Sequence, residues 1–209
     1  MTIYRRDREG EVSNVHGLTG AQRNLVQAVL RVPPEGDFDV AALTRAVTRY
    51  EDGEYNFEQF IQDESAQSLA FNVMPGKSVE EELRSRCYFV GPDIARAVFD
   101  RTYTTDMERS PSHVIFLSAL VQWQKLIYLI MCRRCGVAYD AKAPEAFKIW
   151  PVEVQCRMPT MVREESNLTQ DAFVSKIECT GAACWTVEGF AVINKRIGLI
   201  GKAAVFRVD

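Results

Sequence analysis

The residues best suited to chemistry in this chain lie around His113, one of only two histidines in the sequence. Ser110, Pro111 and Ser112 precede it in "SPSHVIFLSALVQWQKLIYLIM", and a long apolar run follows. Ser110 is a suitable helix N-cap, and Pro111 suits the first helical position because its missing N–H would be unpaired there. The spacing therefore predicts a helix that begins after Ser110 and carries His113 in its first turn.

The first turn of such a helix offers free N–H groups and the positive end of the helix dipole. Both suit a carbonyl oxygen that gains negative charge during a reaction. We expect His113 to polarise that carbonyl or to act as general base on water, the alternative being a histidine bonded to nearby backbone. Ser112 is a weak candidate nucleophile, because adjacent residues on a helix do not face each other and His113 is its neighbour.

Gln124 is the second candidate for a chemical role, because it interrupts an apolar stripe of the same helix. The residues that share this stripe are His113, Leu117, Leu120, Gln124, Ile127 and Met131. Gln124 would lie about 16 Å from His113 along the helix at 1.5 Å per residue. A buried unpaired amide costs on the order of 1–3 kcal/mol, so Gln124 is expected to bond either substrate or water, or else the surrounding sheet.

The elements that follow and precede this helix have the patterns of strands. Residues 95–105 alternate, and the later segments 147–158, 172–181, 184–194 and 198–208 are rich in Val, Ile and aromatic residues. Pro151 indicates a bulge or an edge strand, and the last four strands are expected to pair as an antiparallel meander. A helix that is apolar on every face must be surrounded. The order predicts an α+β hot-dog fold, in which an antiparallel sheet wraps around a long central apolar helix.

The first part of the chain is more polar and more helical in pattern, so residues 1–85 are predicted as a helical N-terminal extension and 86–209 as the hot-dog domain. The expected helices are 23–32, 40–50 with Asp39 as N-cap, 56–69, and a charged helical piece after a turn within 73–86. The acidic run at 80–82 is expected to be a solvated face.

Composition excludes several classes of function. A net charge of -3 gives no field that would attract nucleic acid, and the polar interruptions of the apolar run argue against a membrane span. No secretory signal is recognisable at the start, so a cytoplasmic location is expected. Cys132 and Cys135 form a CxxC motif without a second ligand pair. We therefore expect no metal, no cofactor and reduced thiols.

The segment "MERSPSHVIFLSALVQWQKLIY" (107–128) resembles the start of the central helix in the FcoT-type long-chain fatty acyl-CoA thioesterases, a hot-dog family. The positions that match are Arg109, Ser110, His113, Leu126 and Tyr128. Segment 172–179 also resembles a late strand of that family, and the resemblance covers about residues 86–209. This chain differs from the family at three positions. Where the family carries a tyrosine and two asparagines, this chain has Met107, Ile115 and Gln124.

The resemblance implies site residues as well as a fold. Tyr103 is the nearest phenol upstream of the helix, and Asp106 and Glu108 are candidates for the carboxylate that hot-dog thioesterases and dehydratases use, with exposed loop acids as the alternative. The expected catalytic residues are His113, Gln124, Asp106 and Glu108. The expected substrate-binding residues are Tyr103, Ser110, Ser112, Leu117 and Leu120.

The function that this resemblance implies is processing of acyl thioesters. A thioesterase acting on fatty acyl-CoA or acyl-carrier-protein, in lipid or secondary-metabolite biosynthesis, is the first expectation. A lyase, dehydratase or conjugate-addition catalyst acting on an enoyl thioester is the second. A non-catalytic acyl-binding subunit is the third, and the missing tyrosine and asparagines favour it. Because hot-dog sheets pair edge to edge, a homodimer or higher homo-oligomer is expected.

Overall fold

The structure is a computed structural model that describes residues 38–54, 66–107, 111–159 and 161–208. Within these residues the chain forms two helices and seven strands. The helices are α1 (Val40–Glu51) and α2 (Phe116–Arg134). The strands are β1 (Gln67–Val73), β2 (Val79–Phe89), β3 (Ile94–Thr105), β4 (Phe147–Arg157), β5 (Leu168–Gly181), β6 (Cys184–Ile193) and β7 (Ile197–Arg207).

The seven strands form one antiparallel sheet in the order β1-β2-β3-β5-β6-β7-β4. Strands β5, β6 and β7 are the predicted meander, but the expectation that β4 begins this meander is wrong, because β4 pairs with β7. The physical reason is α2, which joins β3 to β4. A helix of 19 residues is about 28 Å long, enough to carry the chain across several strands to the far edge of the sheet.

Pro151 lies where the sequence predicts an irregular or edge position. Among the described strands β4 pairs with β7 alone, and its register shifts between Pro151 and Glu153. Proline has no N–H to donate to a ladder, so a bulge on an edge strand accommodates it. This expectation is confirmed.

The N-terminal half matches the predictions only in part. Helix α1 has Asp39 as its N-cap, and the Asp39 side chain accepts a hydrogen bond of 2.9 Å from Ala42 N. The charged helical piece predicted within 73–86 is wrong, because β2 occupies Val79–Phe89. Residues 81, 83, 85 and 87 are buried in alternation, which is the period of a strand. The expected division at residue 85 therefore falls inside β2. Segment 23–32 and residues 56–65 lie outside the described part of the chain. The end of the helix predicted over 56–69 is wrong, because strand β1 begins at Gln67.

The main core lies between α2 and one face of the curled sheet. Helix α2 contacts β1, β2, β3, β4 and β5, and its largest fully buried side chains include Leu126, Leu129, Ile130 and Met131. The opposite side of α2 is more accessible, and Leu117 is 37% exposed. In the described residues no helix is long and apolar enough to cross a membrane.

Helix α1 covers the other face of the sheet. Leu43 and Val47 pack there against a cluster that includes Phe173 and Phe190, whose rings stack at 4.4 Å between centroids. Asp39 N donates a 2.8 Å hydrogen bond to the carboxylate of Glu188, which fixes the start of α1 on the sheet. The sheet is thus packed by a helix on each face.

Candidate active site

The predicted start of the long helix is wrong, and this moves His113. Helix α2 begins at Phe116, with Ile115 as an extended N-cap, and residues 111–115 have no regular secondary structure. Val114 N donates a 2.8 Å hydrogen bond to Val162 O, and both valine side chains are buried. This tertiary contact and the extended preference of β-branched residues outweigh the helical signal of Pro111. His113 therefore does not share a helical stripe with Leu117, Leu120 and Gln124.

A buried polar cluster lies where the first turn of α2 meets β2 and β3. Arg101 Nε donates to Glu81 Oε1, and Ser118 Oγ donates to Glu81 Oε2. Glu81 and Ser118 are fully buried, and Arg101 is 4% exposed. Burying an ion pair is costly unless its hydrogen bonds are satisfied, so such a cluster calls for an explanation.

Arg101 also holds the two segments that border the cluster. Its Nη1 donates to Ser112 Oγ and to Glu164 O, each at 3.2 Å, and its backbone N–H donates to Glu165 O at 2.8 Å. Its Nη2 is buried and has no hydrogen-bond partner among the described residues. Counting the described residues alone, one strong donor of a charged group is therefore left unpaired in the interior.

Further unpaired polar atoms lie on the same face of the sheet and helix. Gln170 Nε2 donates to Ala119 O at 3.0 Å, but Gln170 Oε1 is buried and unpaired within the described residues. The side-chain amide nitrogen and oxygen of Gln122 are also buried without a hydrogen-bond partner in the described residues, and so is the hydroxyl of Ser85. Each such atom costs about 1–3 kcal/mol, so a site for water or a polar ligand is indicated here.

The sequence reasoning missed Glu81. It lies in the acidic run at 80–82, which was expected to be solvated, whereas the Glu81 carboxylate points to the core. Strand alternation is the signal that would have found it, because Leu83 and Cys87 lie at even spacing from it. Arg101 was recognised only as a member of an alternating strand.

His113 and Tyr103 lie at the edge of the cluster and are half-buried. Their ring centroids are 5.9 Å apart, and the Arg101 guanidinium carbon lies 5.5 Å from the centroid of the Tyr103 ring. His113 Nδ1 is 2.7 Å from Pro111 O. Because a carbonyl oxygen only accepts, Nδ1 is the donor, and Nε2 has the acceptor role in the neutral ring.

Gln124 lies elsewhere. With Leu120 it lines a narrow, partly open cleft between α2 and strands β4, β6 and β7. The other walls are mostly apolar and include Trp123, Ile127 and Val187. Ser118 contacts β2 instead, so the structure separates Gln124 from the polar cluster and from His113.

Asp106 and Leu117 do not enter the cluster. Asp106 is exposed after β3, and its backbone N–H donates to Ser78 O at 3.3 Å. Leu117 is at the accessible start of α2, and Glu108 and Ser110 lie outside the described residues. Ser112, in contrast, contacts the cluster through Arg101.

Two buried thiols, those of Cys87 and Cys132, are poor nucleophiles in this structure. Burial raises the pKa of Cys87 to about 12 and also raises the pKa of Cys132. The thiolate is the reactive form, so both groups are held in their inert state at neutral pH. Across the described ranges, no set of three or more His, Cys, Asp or Glu side chains is grouped as a metal site.

No protein-family model matches the chain, and no curated protein matches it. Solved structures similar to it include a mutant of the thioesterase PA1618 from Pseudomonas aeruginosa, at 11% identity and a TM-score of 0.37, covering 59% of this chain and 82% of that one. AziG from S. sahachiroi has 12% identity and a TM-score of 0.37, covering 59% and 90%. The proposed thioesterase yhdA from Lactococcus lactis has 6% identity and a TM-score of 0.36, covering 69% and 92%. At these scores, superposition alone assigns this chain no activity.

Proposed function

We propose that this protein is a hot-dog enzyme that processes acyl thioesters, and that it hydrolyses acyl-CoA or acyl-carrier-protein thioesters. The order β3-β5-β6-β7-β4, with α2 between β3 and β4, supports the hot-dog assignment. The observation that carries the function is the buried cluster of Glu81, Arg101 and Ser118 at the first turn of α2. It combines a carboxylate, a helix N-terminus and a cationic donor that has no partner among the described residues.

Each part suits a step of thioester cleavage. The Glu81 carboxylate takes the proton of the attacking group. Two kinds of donor stabilise the thioester carbonyl oxygen as it becomes negative. One is Arg101 Nη2. The other is the set of backbone N–H groups in the first turn of α2, which no side chain of the described residues caps. His113 and Tyr103, at the edge of the cluster, are proposed to position the thioester and to carry protons outward.

The other predicted residues receive secondary roles in this proposal. Ser112 contacts Arg101 and is proposed to border the bound thioester. The acyl chain is proposed to follow the accessible side of α2 from Leu117 to the apolar cleft at Leu120 and Gln124. Asp106, Glu108 and Ser110 stay candidates for contacts with the CoA or carrier arm.

A non-catalytic acyl-binding subunit is the second candidate, and one observation favours it. Glu81 and Ser118 have no exposed surface, so a substrate must open the cluster to reach them. A lyase, dehydratase or conjugate-addition catalyst would use the same donors to stabilise an enolate from an enoyl thioester. The three functions can be told apart by their products: a thioesterase releases a free thiol, a binding subunit retains the acyl ligand, and a lyase adds or removes water.

The test is free-thiol release from a panel of acyl-CoAs and acyl-carrier proteins by the wild-type protein and two variants. Glu81→Gln is expected to lower kcat/KM by about 100-fold or more, as for loss of a general base. Glu82→Gln, on the same strand and bonded to Arg84 at 2.8 Å, is the matched control and is expected to stay within about 2-fold of wild type, as a surface change. Circular dichroism checks that both variants are folded.

Other outcomes would contradict hydrolysis. A retained acyl ligand without thiol release, seen by native mass spectrometry, would assign a binding subunit. Addition or loss of water on an enoyl or hydroxyacyl thioester, without thiol release, would assign a lyase. Equal rates for Glu81→Gln and wild type would remove the buried cluster from the mechanism.

A further inference from the structure

We infer that Ser118 is the nucleophile, and that the reaction passes through an acyl-serine intermediate. This inference rests on the proposed thioester hydrolysis and adds the covalent step. It concerns a residue to which neither the helical pattern nor the family resemblance points.

Ser118 is hydrogen-bonded to a carboxylate that is itself held by a guanidinium, and such a series of groups can activate a hydroxyl. Ser118 Oγ donates to Glu81 Oε2, and Arg101 Nε donates to the other oxygen, Glu81 Oε1. The arrangement is nucleophile, base and orienting group, each within hydrogen-bond reach of the next. Because all three lie in the interior, the bonds are electrostatically stronger than in water.

Two kinds of donor belong to the same buried cluster as this hydroxyl. Ser118 is the third residue of α2, so it belongs to the turn whose N–H groups have no acceptor within the helix. Independently, Arg101 Nη2 is a buried donor without a partner in the described residues. An oxygen that gains negative charge beside Ser118 would satisfy both.

Other nucleophiles near the cluster fit less well. Ser112 Oγ accepts from Arg101 Nη1, so within the described residues it contacts a cation and not a base. Ser85 Oγ is buried and has no base bonded to it in the described part of the chain. The thiol of Cys87 has a pKa raised by burial to about 12 and stays protonated.

The step balances in atoms and charge. Ser118 Oγ bonds to the thioester carbonyl carbon while its proton moves to Glu81 Oε2. The carbon–sulfur bond then breaks, and the thiolate leaves and takes that proton as a free thiol. Water attacks the acyl-serine ester with Glu81 again as base, which releases the carboxylic acid and restores the Ser118 hydroxyl.

The experiment is intact-protein mass spectrometry after mixing with an acyl-CoA that the wild type turns over. Ser118→Ala is expected to lose at least about 100-fold in kcat and to show no adduct. Ser118→Cys is expected to gain one acyl group, located by peptide mapping on residue 118, because a thiol is intrinsically a stronger nucleophile than a hydroxyl and acyl transfer between two thiols is nearly balanced in energy. Ser68→Ala, on the exposed side of β1, is the control and is expected to behave as wild type.

The inference is overturned if Ser118→Ala keeps turnover within a few-fold of wild type, or if folded Ser118→Cys stays unacylated. Either result would leave direct attack by water, and the proposed hydrolysis would stand. Absence of thiol release by wild type on every thioester would instead refute the proposed function itself. If Ser118→Ala does not fold, the acylation of Ser118→Cys decides the question.

Discussion

At the scale of single residues, Glu81 and Arg101 depend on each other for burial. Their side chains have no exposed surface, so removal of either charge leaves the other unpaired in the core. Replacing both by apolar groups removes the desolvation cost together with the attraction. The net contribution of this buried pair to stability is therefore small compared with the cost of breaking it.

We expect Arg101→Met to lower the free energy of unfolding by about 3–5 kcal/mol, because it strands the Glu81 carboxylate. The double change Glu81→Leu with Arg101→Met should recover most of this loss, as measured by urea denaturation. Arg84→Met, which breaks the exposed pair with Glu82, is the control and should cost less than about 1 kcal/mol. If the double variant lost as much free energy of unfolding as the two single variants together, the two side chains would not depend on each other for burial.

Cys87 predicts how stability depends on alkaline pH. Burial raises its pKa from 9.0 to about 12, so the unfolded chain loses this proton at lower pH than the folded protein does. The stability that the neutral thiol contributes is complete below pH 9.0 and is lost as the pH rises from 9.0 towards 12.

We therefore expect the free energy of unfolding of wild type to fall with pH in that window more steeply than that of Cys87→Ala. The extra slope should approach about 1.4 kcal/mol per pH unit. Urea denaturation at several pH values measures the difference, and Cys179→Ala, at an exposed thiol, is the control. Parallel slopes for wild type and Cys87→Ala would show that this thiol ionises freely.

At the scale of elements, the position of α2 depends on a glycine in β7. A Cβ on Gly201 would lie 2.8 Å from Glu153 O and 2.9 Å from Trp123 Cη2. The absence of a side chain therefore lets the Trp123 ring lie against the sheet where β4 and β7 pair. The same region forms the apolar cleft that contains Gln124.

We expect Gly201→Ala to lower the free energy of unfolding by about 1–3 kcal/mol through overpacking. Gly181→Ala is the matched control on β5, because its Cβ would meet only Cys184 Cβ at an ordinary 3.8 Å. Thermal and urea denaturation of both variants measure the difference. Equal stability of the two would mean that Trp123 and β4 shift without cost.

At the scale of the whole molecule, we expect a homodimer that pairs along β4. This strand has a neighbour on one side only among the described strands, and its Trp150 and Val152 are 71% and 64% exposed. Unpaired backbone groups beside exposed apolar side chains favour association with a second copy.

Light scattering after size-exclusion chromatography should show a dimer for wild type and a monomer for Trp150→Glu with Val152→Glu. Met74→Glu is the control, because Met74 is 37% exposed on the turn between β1 and β2, away from β4. A monomeric wild type, or a double variant that stays dimeric, would reject this interface.

Local patterns determined much of the architecture. The strands β3 to β7, helix α1 with Asp39 as cap, and the irregularity at Pro151 all follow from signals within a few residues of each position. Periodicity and capping act at short range, so a single sequence is sufficient for them. The apolar character of α2 likewise predicts that it packs against the sheet.

Only the tertiary structure decided where the site lies. Glu81 is buried because Arg101 and Ser118, 20 and 37 residues away, bond its two oxygens. Alternation indicates which side of β2 faces inward, but the fate of a carboxylate there depends on distant partners. For the same reason the contact of Val114 with Val162 sets the start of α2, and the path of α2 across the sheet sends β4 to the far edge.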